Sequence, residues 1–188
     1  MPLVRRAAKA AADAGAKPVV VVIGANADLV AAALSGLEFV RVVVNPDWAS
    51  GLASSLTAGL HALFDDETGG DRTLEPHALD GVLVTLADQP HVDSAALRIV
   101  MAGLDDDTRL VAAAYRDTIG VPAVFGREHI DELMRLKGDS GAGHWLRSHS
   151  GDVRRIPLEA PALDIDVPSD AARLASDGLL FASASDDA

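Results

Sequence analysis

Short runs of β-branched residues alternate along this chain with longer stretches rich in Ala and Leu. The runs at Val19–Ile23, Val40–Val44, Gly81–Leu86 and Leu110–Ala114 are nearly continuously apolar, Arg41 and Thr85 excepted, as strands covered on both faces are. The stretches between them repeat at helical spacing. Arg5–Ala14 is a good helix former throughout, and Gly15 is placed to stop it. Asn26–Leu37 puts Leu29, Val30, Ala33, Leu34 and Leu37 on one face. Leu52, Leu56, Leu60 and Leu63 do the same after Gly51, and Ser94–Ala102, Arg127–Leu136 and Gly141–Ser148 complete the helical set. This alternation predicts an α/β sandwich with a mainly parallel sheet.

Two segments depart from the alternation. Asp65–Asp80 is acidic, with two glycines and a proline, and reads as a surface loop without the ligand spacing of a calcium loop. Ala182–Ala188 is small, polar and acidic, so residues 177–188 are expected to form a tail beyond one domain of residues 1–176. The 188 residues carry a net charge of −12, which argues against a protein that neutralises nucleic-acid phosphates. The absence of cysteine excludes a disulfide scaffold and a thiolate site, and fits a reducing, cytoplasmic setting. No apolar run reaches the roughly 20 residues of a membrane helix, and the start lacks the continuous apolar segment of a signal peptide.

In an open parallel sheet, ligands sit beyond the carboxyl ends of the strands. After Val40–Val44 comes Asn45-Pro46-Asp47, then Gly51, Ser54 and Ser55 opening a helix; this is either a turn with a helix cap or the edge of a polar pocket. After the third strand, Asp88 of Ala87-Asp88-Gln89-Pro90 is placed either to hold the loop or to meet Mg²⁺. Alternation in Asp164-Ile165-Asp166-Val167-Pro168-Ser169-Asp170 suggests a strand running into a helix, with Asp170 suited to the first helical turn and Asp166 free to meet Asp88. The six histidines form no pair at metal spacing, and no serine has a nucleophile-elbow setting.

Taken in order, NPDWASGLASSLTAGL (45–60), VLVTLADQPHV (82–92), GVPAVF (120–125), LKGDSGAGHWL (136–146) and LDIDVPSD (163–170) resemble the molybdenum-cofactor cytidylyltransferase branch of the MobA-like nucleotidyltransferases. The resemblance implies a Rossmann-like three-layer α/β/α sandwich of the nucleotide-diphospho-sugar transferase type. It implies transfer of CMP or GMP from CTP (favoured) or GTP to a molybdopterin-type phosphate acceptor, with Mg²⁺ and release of pyrophosphate. It implies as partner a molybdoenzyme or its chaperone. Two alternatives share the fold: a non-catalytic nucleotide- or cofactor-binding homologue, and a nucleotidyltransferase for another small phosphorylated acceptor. By the same resemblance Asp88, with Asp166, would hold the metal and act in catalysis. Gly51, Ser54 and Ser55 would line the nucleotide pocket, and Gly120, Pro122, Gly138, Asp139 and Gly141 would face the acceptor.

One feature of the pattern is not matched. Family members open with a strand and a loop of the form Leu-Ala-Ala-Gly-x-Ser-x-Arg-Met-Gly, then Pro-Lys, whereas Met1-Pro-Leu-Val falls where their first helix starts. Two consequences are expected. Between Lys17 and Arg72 the only Lys or Arg is Arg41, so few cations are at hand to meet a triphosphate. The strands at Val19–Ile23 and Gly81–Leu86 should either lack a partner between them or be forced together.

Overall fold

The computed structural model describes residues 1–64, 79–115 and 118–158. The chain opens with α1 (Leu3–Ala14), whose Ala8 and Ala11 are buried. Such small side chains let the helix lie close to its neighbours, and it packs against α2 (Ala27–Leu34) and α4 (Ser94–Met101). Gly15 ends it at φ 102°, its N–H turned back to the carbonyls of Ala11 and Ala12, as the sequence led one to expect.

β1 (Val19–Ile23) pairs in parallel with β2 (Val40–Val44), in register from Val19 opposite Val40 to Ile23 opposite Val44. The intervening α2 is shorter than the apolar pattern suggested. Ser35 leaves helical geometry and Gly36 follows at φ 76°, so Leu37 packs in the core from the loop, not from the helix. α3 (Leu52–Phe64) and β3 (Gly81–Val84) follow; the strand stops short of Thr85 and Leu86.

The second sheet has the order β3-β5-β4-β6, with β4 at Leu110–Tyr115, β5 at Thr118–Gly126 and β6 at Arg154–Pro157. β5, not marked out as a strand by the sequence pattern, runs antiparallel to both β3 and β4, while β6 runs parallel to β4. β3, β4 and β6 therefore point one way and β5 alone points back. The architecture is the expected α/β class with mixed pairing. Arg127–Leu136 resolves into a 3₁₀ turn at Arg127–His129 and a short α5 (Ile130–Met134), and α6 (Ala142–Ser148) packs on β5. Phe125 of β5 is fully buried among Leu60, Leu133 and Leu146, its ring 5.8 Å from that of Trp145.

Among the described residues β1 pairs with β2 alone and β3 with β5 alone, so the two sheets do not join. Val19–Val22 and Gly81–Val84 line the same cavity of about 1140 Å³, a cleft that runs along both strands and past the carboxyl end of β3 to Ala87 and Gln89. The halves are held together instead by a shared apolar cluster in which Ala8, Val19, Leu34 and Leu97 are buried and Leu83 packs from β3. Residues 65–78 of the acidic loop and 159–188, including the expected tail, lie outside the described residues.

Candidate active site

The first wall of the cleft is organised by Asn45, only 3% exposed and placed where β2 ends. Its N–H donates to the Ile23 carbonyl at 2.8 Å, extending the β1–β2 ladder by one bond. Its side-chain Oδ1 accepts from the Asp47 N–H at 3.0 Å, closing an Asx turn, and its Nδ2 donates to Ser54 Oγ at 2.9 Å and Ser55 Oγ at 3.1 Å. One buried amide thus joins strand, turn and helix. The sequence marked Asn45 only as turn chemistry; a polar residue directly after an apolar strand was the available signal.

Ser54 is occupied locally, its hydroxyl donating to the carbonyls of Gly51 (2.8 Å) and Asp47 (3.0 Å). Ser55 lines the cleft. Gly51, at φ 113° and ψ 171°, is in a conformation open essentially to glycine alone. A Cβ there would also lie 2.4 Å from the backbone C and O of Gly138, and Ala53 N–H donates to the Gly138 carbonyl at 3.0 Å. The Gly51–Ser55 and Gly138–Gly141 segments, distant in sequence, are therefore docked backbone to backbone. Asp139 and Gly141 line the cleft from the second segment, which leads directly into α6.

The opposite wall comes from β5 and the loop after β3. Gly120 lines the cleft, and Tyr115 Oη donates to the Val121 carbonyl at 2.8 Å across the β4–β5 hairpin. Pro122 is fully buried within β5 and does not line the cleft, nor do Gly51, Ser54 and the exposed Gly138. Ala87 and Gln89 line the cleft on either side of Asp88, whose Oδ1 is shielded from solvent. His91 Nε2 is buried with no hydrogen-bond partner among the described residues. The structure thus brings Ser55, Gly120, Asp139 and Gly141 around one cleft, which Ala87 and Gln89 also line while Asp88 between them does not. Asp166 lies outside the described residues, as do Asp164 and Asp170.

The donor set bears on a metal ion. Among the described residues no group of three or more acidic or histidine side chains converges, so a fully protein-ligated cation does not fit them. A hard divalent ion that keeps its waters and takes phosphate oxygens needs only one or two carboxylates, so the donor set leaves room for an ion of that kind.

The resolved charge perturbations lie away from this edge. Arg109 is held above its ordinary value by its hydrogen bond to Glu128 (Nε to Oε1, 2.8 Å). Glu128 is pushed up by partial burial, but that bond and the attraction of Arg109 outweigh it and leave the carboxyl below its ordinary value. Asp105 is lowered chiefly by its hydrogen bond from Arg154, and next by the Thr108 N–H. Both ion pairs fasten β4 or β6 to neighbouring turns, which is structural work.

An α/β fold with a large cleft bordered by its strands is of the class that binds nucleotides and other small ligands. Residues 1–153 match the MobA-like NTP transferase domain. A curated relative, nicotine blue oxidoreductase of Paenarthrobacter nicotinovorans, is 33% identical over 183 residues, spanning 92% of this chain and 82% of that one. Among solved structures, Rv0371c of Mycobacterium tuberculosis matches with a TM-score of 0.71 at 30% identity, over 93% of this chain and 84% of that one. A nucleotidyl transferase of Methanothermobacter thermautotroptrophicus (Mth528) matches at 0.72 and 27% identity, over 95% and 80%. Rv0371c has also been solved in complex with manganese, matching at 0.66 and 29% identity, over 92% and 85%. The chain belongs to the MobA-like NTP transferase family, and a nucleotidyltransferase-like activity with a nucleoside triphosphate substrate follows from that membership. No helix among the described residues is long and apolar enough to cross a membrane.

Proposed function

We propose that this protein transfers CMP, or GMP, from CTP or GTP to a molybdopterin-type phosphate acceptor, in a cytoplasmic setting and within one domain of residues 1–176. The observation that carries the proposal is the docking of Gly51–Ser55 on Gly138–Gly141, which puts Ser55, Asp139 and Gly141 on one cleft with Gly120, beside the Asp88 carboxylate. In this reading Ser55 and its neighbours line the triphosphate, while Gly120, Asp139 and Gly141 face the acceptor. An acceptor phosphate oxygen attacks the α-phosphorus in line. The new P–O bond forms as the bond to the β-phosphate bridge breaks, and pyrophosphate leaves with its electron pair. The chain's own part is to hold the two anions in line and exclude water. Mg²⁺, or Mn²⁺ as in the relative's complex, would be held by Asp88 together with Asp166 and would offset the charge on the phosphates.

The test is pyrophosphate release by the purified chain with Mg²⁺, CTP or GTP, and molybdopterin. Turnover dependent on acceptor and metal supports the proposal. Its absence, with nucleotide still bound, would favour the non-catalytic homologue, and turnover with a different phosphorylated acceptor alone would relocate the substrate. The name of the P. nicotinovorans relative favours a second reading, a redox enzyme. Oxidation of NADH or NADPH in the presence of a coloured heteroaromatic acceptor, without any nucleotidyl transfer, would establish it instead.

A further inference from the structure

We propose that the Arg147 guanidinium anchors the phosphate of the acceptor substrate, an inference that rests on the nucleotidyltransferase reading. Both substrates are anionic and the chain is acidic, so each cation on the cleft matters. Among the described residues lining the cavity, the Lys and Arg side chains are Lys17, Arg109 and Arg147. Lys17 precedes β1 and Arg109 precedes β4, so both sit where strands begin, away from Ser55 and Gly120. Arg109 is also tied to Glu128 and to the Asp80 carbonyl. Arg147 is on α6, beside Gly143, and lines the same cavity as Tyr115, Thr118 and Gly120 of the β4–β5 hairpin. Among the described residues it forms no ion pair, whereas Arg109 and Arg154 each have one.

Its conformation carries the argument further. A Cβ at Gly143, one helical turn earlier, would sit 3.4 Å from Arg147 Nη1. The guanidinium therefore lies back along the helix over the bare backbone of Gly143, where side chains four apart meet. Gly143 has no side chain to cover the guanidinium, and Arg147 is exposed where it lines the cavity. A fork of fixed N–H donors matches two oxygens of a phosphomonoester, a fit that a lysine ammonium cannot reproduce. Asp139, the nearby lining acid, directs its Oδ1 to the Gly51 side of the docked loops. The acceptor's phosphate would then lie between Arg147 and Gly120, leaving the Ser55 and Asp88 side to the triphosphate.

The experiment is calorimetric titration of the full chain with two ligands separately: phenyl phosphate, a plain phosphomonoester, and CTP with Mn²⁺. Arg147→Gln should lose roughly 10–100-fold in phenyl phosphate affinity and leave Mn²⁺–CTP affinity unchanged, with Arg147→Lys in between. Unchanged phenyl phosphate affinity in Arg147→Gln, or no binding by the parent protein, overturns the inference. An equal loss toward Mn²⁺–CTP also overturns it, because Arg147 would then belong to the nucleotide. If the parent binds phenyl phosphate but neither Mn²⁺–CTP nor, titrated in its place, Mn²⁺–GTP, the nucleotidyltransferase reading fails and takes the acceptor assignment with it.

Discussion

Replacing Gly51 by alanine tests the contact on which the cleft is built. Two costs combine. The backbone at φ 113° and ψ 171° lies in a region nearly closed to residues with a Cβ, at about 1–3 kcal/mol. The added methyl would also meet the backbone C and O of Gly138 at 2.4 Å, and main-chain atoms cannot rotate aside as a side-chain tip can. The 138–141 loop must therefore retreat, stretching the 3.0 Å bond from Ala53 N–H to the Gly138 carbonyl, worth about 0.5–1.5 kcal/mol. Together they predict a loss of roughly 2–4 kcal/mol and, for a domain of this size, a fall in Tm of roughly 4–16 °C. Differential scanning calorimetry measures it, with Gly36→Ala as the comparison. Gly36 also has a positive φ, 76°, but no atom within 4 Å of an added Cβ, so it isolates the backbone term. If Gly51→Ala costs no more than Gly36→Ala, the two loops are not packed as described and the shared cleft loses its basis.

Three further outcomes are expected. Asp88→Asn, close to isosteric, should weaken Mn²⁺–CTP binding at least about tenfold while leaving Tm nearly unchanged; equal affinity would reduce Asp88 to a turn residue. Phe125→Ala should cost about 3–5 kcal/mol in urea denaturation, because the ring is fully buried at the centre of the second sheet. Glu128→Gln should cost ~0.5 kcal/mol or less at neutral pH, since the carboxylate is 42% exposed and solvent screens the pair with Arg109. With the folded carboxyl below its ordinary 4.5, that contribution is fully present above the unfolded value and disappears as pH falls through the folded one. A stability gap between parent and Glu128→Gln that persists in strong acid would show that the effect is not ionic.

The strands β1 and β2 were legible to the residue because short valine-rich runs, broken in β2 only by Arg41, favour extended backbone. Helix ends were legible where a residue terminates backbone geometry, as at Gly15, and misread where periodicity outran it, as at Ser35-Gly36. β5 escaped notice because Gly120 and Pro122 are poor strand residues by composition. They are tolerated because the long β4–β5 pairing and burial of Ala123, Val124 and Phe125 decide the conformation, and local propensity is overridden. The site shows the same division. Gly51 and Ser55 could be named from their place after a strand, whereas the contact of Gly51 with Gly138 is a long-range fact that no local spacing encodes.

The parted sheets and the scarcity of cations bear on one another. A parallel sheet that binds phosphates relies on backbone N–H groups at its strand ends as much as on side chains. Here β1 and β3 border an open cavity, so no strand between them presents such groups among the described residues. With a charge of −12 on the chain, the proposed function leaves neutralisation of a triphosphate to a divalent ion, which Asp88 would hold, while a guanidinium would suit a phosphate that arrives without metal. Under the two proposals together, the metal-bound anion would take the β3 side of the cleft and the uncomplexed one the α6 side, so that two phosphate substrates would be told apart by the counter-charge each finds.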